Sequence, residues 1–162
     1  MTETNLYRQI GREGLLHNNF ELPTAWEKYI QNEEWAELDH FAGQFLQKDQ
    51  PLGRYLGQIY DFKQIEHILA LRQAPGDEEG IWHDDGSRAL AFSLSLNLRP
   101  SIIKGGKLFL RPKGSQDKSS EKTVYPRPWG QITLFATGQQ GWEHRTECVS
   151  GGSRLVLAGW LT

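Results

Sequence analysis

From Leu52 onward, glycine and proline cut the chain every few residues into short segments rich in aliphatic and aromatic side chains. Such spacing favours strands joined by tight turns over long helices. The candidate strands are 52–60, 64–74, 80–85, 88–97, 107–111, 122–125, 131–136, 142–149 and 153–161. So many short strands in one stretch point to a sandwich, barrel or jelly roll. The longest connection, Arg111 to Pro128, carries glycine, serine, lysine and proline around one short strand. Its composition favours mobility, which makes it a candidate lid or an exposed hairpin.

The first fifty residues read differently. Leu15 and Leu16 close an opening helical segment, and Phe20-Glu21-Leu22-Pro23 breaks it. Thr24 with Glu27 three residues on has the form of a capping box. Beyond it, Trp26, Tyr29, Ile30, Trp35, Leu38, Phe41, Phe45 and Leu46 recur near helical spacing, as two helices joined around Asn32 would require. No linker separates the two parts. The expectation is one domain over 1–162, helical over 1–50 and β over 52–162.

Eighteen basic residues against twenty acidic ones give a net charge of −2, which argues against nucleic-acid binding. The single cysteine, Cys148, fits a reducing compartment and reads as a small core residue. Neither a basic leader followed by an apolar run nor a membrane-length apolar stretch is present, so a cytoplasmic protein without a membrane partner is expected. Nothing in the sequence speaks to oligomeric state.

The chemistry concentrates in Ile81-Trp82-His83-Asp84-Asp85-Gly86. In a strand, His83 and Asp85 would share a face and Asp84 would point away. A second histidine, His144, stands far down the chain in Gly141-Trp142-Glu143-His144. Two imidazoles and one carboxylate on one face of an octahedron form the facial triad of non-haem Fe(II) oxygenases. His-x-Asp is also the sequence of a solvated turn, and a lone histidine near a strand start is usually structural. Arg154, ten residues after His144, opens the apolar strand Leu155 to Trp160. A buried guanidinium there needs an anionic partner, which a dicarboxylate would supply; an exposed arginine after a turn is the plain alternative. Trp160 falls on the same strand face as Arg154. Trp82 and Trp142 either frame a substrate entrance or pack outward under the helices. Asp77-Glu78-Glu79 reads as a solvated acidic turn, and His17, His40 and His67 as structural or exposed.

Taken in order, these parts resemble the Fe(II)/2-oxoglutarate oxygenase superfamily in its prolyl-4-hydroxylase-like branch. The matching series is Ala74-Pro75-Gly76, His83-Asp84-Asp85-Gly86, Ser93-Leu94-Ser95-Leu96-Asn97 and Gly105-Gly106-Lys107-Leu108-Phe109. Gly130 to Phe135, His144 and Gly152-Ser153-Arg154 running to Trp160 complete it, over residues 70–162 in unbroken order. The resemblance implies a mainly β protein: a double-stranded β-helix, or distorted jelly roll, with N-terminal helices packed on the sheet. It implies Fe(II) held by His83, Asp85 and His144, and 2-oxoglutarate chelating that iron with its far carboxylate on Arg154. Ser95 and Gln73 stand where members often carry co-substrate-binding tyrosines, and Trp160 could floor the same pocket.

The implied reaction consumes O2 and 2-oxoglutarate, releases succinate and CO2, and hydroxylates an amino-acid, prolyl or other peptidyl, or small-molecule C–H bond. Halogenating relatives have a small residue where this chain has Asp85, so halogenation is not expected. Two rival classes are a cupin-like metalloprotein, an isomerase or metal-dependent sensor, and an inactive oxygenase-fold binding module. Cupins usually supply more histidines and no arginine in this position.

Overall fold

The computed structural model of the protein describes residues 3–162. Thr4 begins the first helix, α1 (Asn5–Glu13): its side chain accepts the Tyr7 N–H at 3.1 Å, and its hydroxyl donates to the Ile59 carbonyl. Tyr7 and Ile10, three apart, form the buried side of α1. The helix stops at Gly14, whose φ of 91° is open to glycine alone at low cost. A Cβ there would fall 2.6 Å from the Trp142 ring, so the same residue lets the indole pack against the turn.

Helical character does not extend through Leu15 and Leu16 as expected. They begin a strand, β1 (Leu15–Asn19). Helices α2 (Ala25–Gln31) and α3 (Trp35–Phe45) do meet around Asn32. Thr24, however, has helical backbone angles and makes no side-chain capping bond, so the expected capping box is absent. The segment 52–60, expected as a strand, is helix α4 (Pro51–Ile59). Pro51 sits in its first turn, where a missing N–H costs nothing, and Leu52, Leu56 and Ile59 fall on one buried face.

The remaining strands are β2 (Ile65–Gln73), β3 (Leu90–Ser95), β4 (Lys104–Gly105), β5 (Leu108–Pro112), β6 (Lys122–Val124), β7 (Gln131–Phe135), β8 (Trp142–Thr146), β9 (Val149–Gly151) and β10 (Ser153–Leu161). A five-stranded antiparallel sheet runs β1-β7-β3-β10-β2. Facing it are a three-stranded sheet, β6-β5-β8, and the pair β4-β9. These sheets are the walls of a double-stranded β-helix, with the N-terminal helices on the outside of the larger one.

Register sorts the larger sheet into two chemically distinct faces. Residues directly opposite across strands share a face. One face carries Leu94 opposite Ile132 and Leu157, and Phe92 opposite Leu134. These pack in one cluster with Ile10, Leu38, Leu52 and Leu56 of the helices. Each such burial contributes about 1.5–3 kcal/mol, so this face anchors the fold. The opposite face lines the inside of the roll: Ser93 lies opposite Thr133 and Ala158, Thr133 opposite His17, Ser95 opposite Val156, and Arg154 opposite Arg72. Small and polar side chains there line a narrow cleft. No described helix is long and apolar enough to cross a membrane.

Candidate metal centre

The segment expected as a strand over 80–85 forms no continuous ladder. It runs beside β8 with Gly80 N–H on the Thr146 carbonyl and His83 N–H on the His144 carbonyl, a spacing that slips by one residue. Only His83 forms a β-bridge, and its partner is His144. The bridge sets the two imidazoles side by side, with ring centroids 4.3 Å apart. The chain then turns, and Asp85 comes to the same point. One ligand atom from each of His83, Asp85 and His144 lies within 4.8 Å of the others.

Asp84 points away, as alternation predicts. Its carboxylate accepts the Gly86 N–H at 2.8 Å and pairs with Lys113 Nζ at 2.5 Å.

The protonation chemistry suits a cation. His83 Nδ1 lies 2.9 Å from the Ile81 carbonyl, which fixes it as the N–H and leaves Nε2 as a ligand. Burial pushes the His144 imidazole down to about 4, and the neighbouring His83 acts in the same direction, so the ring is neutral at physiological pH. Burial raises the Asp85 carboxyl, while His83 and the Trp160 side chain as hydrogen-bond donor pull it back. Asp85 Oδ2 and His144 Nδ1 are both buried without a hydrogen-bond partner. Such atoms are costly to leave unpaired. A divalent cation among the three side chains would engage the carboxylate, and two imidazoles with one carboxylate match the ligand preferences of Fe(II). Phe135 meets the His144 ring edge-on, centroids 5.0 Å apart, and shields it from water.

Arg154 heads β10 and is only 8% exposed. Burial lowers its guanidinium to about 10, Arg72 acts the same way, and Asp77 opposes them. At either value it is a full cation near neutral pH, and among the described residues no carboxylate pairs with it. It lines a narrow cleft inside the roll with Ser93, Ser95, Tyr125, Arg127, Thr133 and Val156. Gly106, φ 71°, explains how it fits: a Cβ at that position would sit 3.0 Å from Arg154 Cδ.

The other expected site residues divide. Ser95 lines the cleft, but its hydroxyl donates to the Arg127 carbonyl at 2.6 Å. Trp160 shares the Arg154 face but sits at the end nearer Asp85, under the Arg88 guanidinium, 5.3 Å from the ring centroid. Gln73 is not brought to the cleft. It is exposed, lies opposite Ser153 and accepts that residue's hydroxyl at 3.2 Å, while its neighbour Arg72 takes the inward position.

Trp142 packs under α1 with its indole N–H on the Gly11 carbonyl at 2.8 Å. Trp82 lies under Arg111, whose guanidinium is 4.0 Å from the ring centroid, with Arg145 at 5.4 Å. Both tryptophans therefore have packing roles. The acidic run is not simply solvated. Asp77 holds Arg72 at 3.0 Å and the Val149 N–H at 2.6 Å, and Glu79 pairs with Arg145 and holds the Cys148 N–H. Cys148 is partly exposed, not a core residue. The segment after Arg111 is moored beside the candidate metal centre by Lys113 on Asp84 and by Arg111 on Glu143 at 2.6 Å.

Sequence reading missed Ser93, Thr133 and Arg127 as cleft residues. The polar positions alternating with Phe92, Leu94, Ile132 and Leu134 were the available signal for the first two. Arg127 lies on a connection with no periodicity to betray it.

No protein-family model matches the chain, and no curated protein matches it in sequence. Solved structures do. A prolyl-4-hydroxylase from Pseudomonas putida superposes with a TM-score of 0.61 at 20% identity, over 99% of this chain and 96% of that one. A prolyl 4-hydroxylase from Phytophthora capsici gives a TM-score of 0.64 at 18% identity, over 96% of this chain, which spans 61% of that longer protein. A Trichoplax adhaerens prolyl hydroxylase, solved with a peptide from the oxygen degradation domain of hypoxia inducible factor, gives 0.56 at 14% identity, over 96% of this chain and 86% of that one. The chain thus has the fold of the 2-oxoglutarate/Fe(II) oxygenases, in the form that prolyl 4-hydroxylases adopt.

Proposed function

We propose that the chain acts as one Fe(II)- and 2-oxoglutarate-dependent dioxygenase unit. It would hydroxylate a C–H bond of an amino acid, a prolyl or other peptidyl residue, or another small molecule, releasing succinate and CO2. The observation that carries the reading is the meeting of His83, Asp85 and His144 within 4.8 Å, in the same roll whose interior holds the unpaired cation Arg154.

His83, Asp85 and His144 would hold the metal, leaving three coordination positions for 2-oxoglutarate and O2. Iron, 2-oxoglutarate and O2 together supply the oxidising power. The chain's own residues bind, orient and exclude. The Ile81 carbonyl fixes the His83 tautomer, and the Trp160 side chain beside Asp85 favours its ionised form. Arg154 would take the far carboxylate of the co-substrate through its planar fork. Phe135 and the helix-backed sheet keep water from His144. His83 is exposed, which leaves that side open to substrate. A peptide seated on the Trichoplax adhaerens relative supports a peptidyl substrate as one candidate class.

The test is spectroscopic and then chemical. Anaerobic Fe(II) plus 2-oxoglutarate should give a visible charge-transfer band. A screen of amino acids and peptides should then give substrate-dependent succinate. A cupin-like protein would bind metal without the band, and an inactive scaffold would show neither response.

A further inference from the structure

Ser95 stands beside Arg154 in the cleft, yet it cannot serve a carboxylate there. Its one proton goes to the Arg127 carbonyl at 2.6 Å. Asn97 Nδ2 donates to the same Oγ at 2.9 Å and to the same carbonyl at 3.0 Å. Only acceptor capacity is left on Ser95, and a carboxylate needs donors. What this buried knot does is hold the backbone at Arg127.

The Arg127 side chain lines the cleft that Arg154 lines, and its Nε is buried without a hydrogen-bond partner. A guanidinium N–H shut away from water with no acceptor is unfavourable, and an entering anion would supply one. A second observation puts the charge on the side of the sheet that carries the cleft residue Thr133. The His17 imidazole is lowered first by burial and then by Arg127, and His17 lies 2.9 Å from the hydroxyl of Thr133, itself a cleft residue. Arg72, the other guanidinium near Arg154, pairs with Asp77 and donates to the Glu78 carbonyl; its Nη1 is also buried without a partner, but Arg72 does not line the cleft.

We propose that Arg127, positioned by Ser95 and Asn97, is a second anion-binding residue of the cleft and holds the far carboxylate of a dicarboxylic 2-oxoacid together with Arg154. The inference rests on the dioxygenase reading. Two guanidinia around one carboxylate would select 2-oxoglutarate over 2-oxoacids that lack a far carboxylate, such as pyruvate.

The experiment uses calorimetric titration of the full chain loaded with Mn(II), a redox-inert stand-in for iron. The probes are 2-oxoglutarate and oxalate, which offers a metal-chelating end without a far carboxylate. Arg127→Met should weaken 2-oxoglutarate about tenfold to a hundredfold, the range for one charge-assisted hydrogen bond. Oxalate affinity should stay within about twofold, since oxalate has no carboxylate to reach either guanidinium. Ser95→Ala, which loosens the Arg127 backbone, should weaken 2-oxoglutarate less and also spare oxalate. Unchanged 2-oxoglutarate affinity in Arg127→Met overturns the assignment, and so does equal loss of both probes, the mark of a structural role. If Arg127→Met does not fold, Arg127→Gln carries the same comparison. Wild-type protein that binds oxalate but not 2-oxoglutarate would instead sink the dioxygenase reading itself.

Discussion

His83 and His144 exchange both backbone hydrogen bonds, N–H to O at 3.0 and 2.8 Å, across an isolated bridge between a turn and β8. An antiparallel pair of this kind puts both side chains on one side of the backbone. The candidate metal centre is therefore anchored through main chain, and only Asp85 depends on the turn that follows.

Substituting alanine for His83, Asp85 or His144 should each remove most Fe(II) or Mn(II) affinity and leave the fold intact. Asp84→Ala should keep metal affinity and instead free Lys113, because Asp84 serves Gly86 and Lys113 only. Metal titration and tryptic cleavage at Lys113 read the two effects. Equal metal loss from the Asp84 and Asp85 variants would contradict the geometry.

Arg154→Ala should raise the 2-oxoglutarate Kd steeply while sparing the metal. Removing one partner of a buried charge pair costs about 3–5 kcal/mol, a hundredfold or more in affinity. Arg154→Lys should fall between, because a point charge replaces a fork. Unchanged affinity in Arg154→Ala would end the co-substrate assignment.

Acid should destabilise the metal-free protein through His144. Its pKa falls from 6.5 to about 4 on folding, so the unfolded chain takes up a proton that the folded one refuses. The stability it contributes is complete above pH 6.5 and is lost as pH drops toward about 4, by about 3 kcal/mol in all. Tm measured against pH should fall through that window, and His144→Asn should flatten the slope.

Gly159→Ala should destabilise the fold by about 1–3 kcal/mol through overpacking. A Cβ at that position would meet the Phe92 ring at 2.3 Å and the Glu66 carbonyl at 2.8 Å. Thermal melts of Gly159→Ala with and without Phe92→Leu check this, and the double variant should recover part of the loss.

That His83, Asp85 and His144 belong to one cluster was legible because the expectation rests on side-chain type and short spacing. His83 and Asp85 converge even though 80–85 is not a strand, since the bridge at His83 and the turn after it substitute for one. Pro51 with Leu52, Leu56 and Ile59 carried a helical signal in a stretch whose glycines suggested turns. β1 was harder, because Leu15 to Asn19 is made a strand by β7 alongside it, a tertiary partner that local pattern does not reveal. Gln73 shows the cost of judging a strand by its likeness to others. The register of β2 against β10 gives the inward position to Arg72, and a one-residue offset exchanges the two faces.

The division of the larger sheet into an apolar face and a small, polar one has a consequence for how such a protein can change. Alternation assigns the two faces to different residues of the same strands, so Leu94 answers to the helices while Ser93 answers to the cleft. Substitutions on the cleft side can recut the shape and charge offered to a ligand while the packing that keeps the chain folded stays untouched. Core packing and ligand choice thereby rest on alternate residues, so a change of specificity need not draw on the side chains that fill the core.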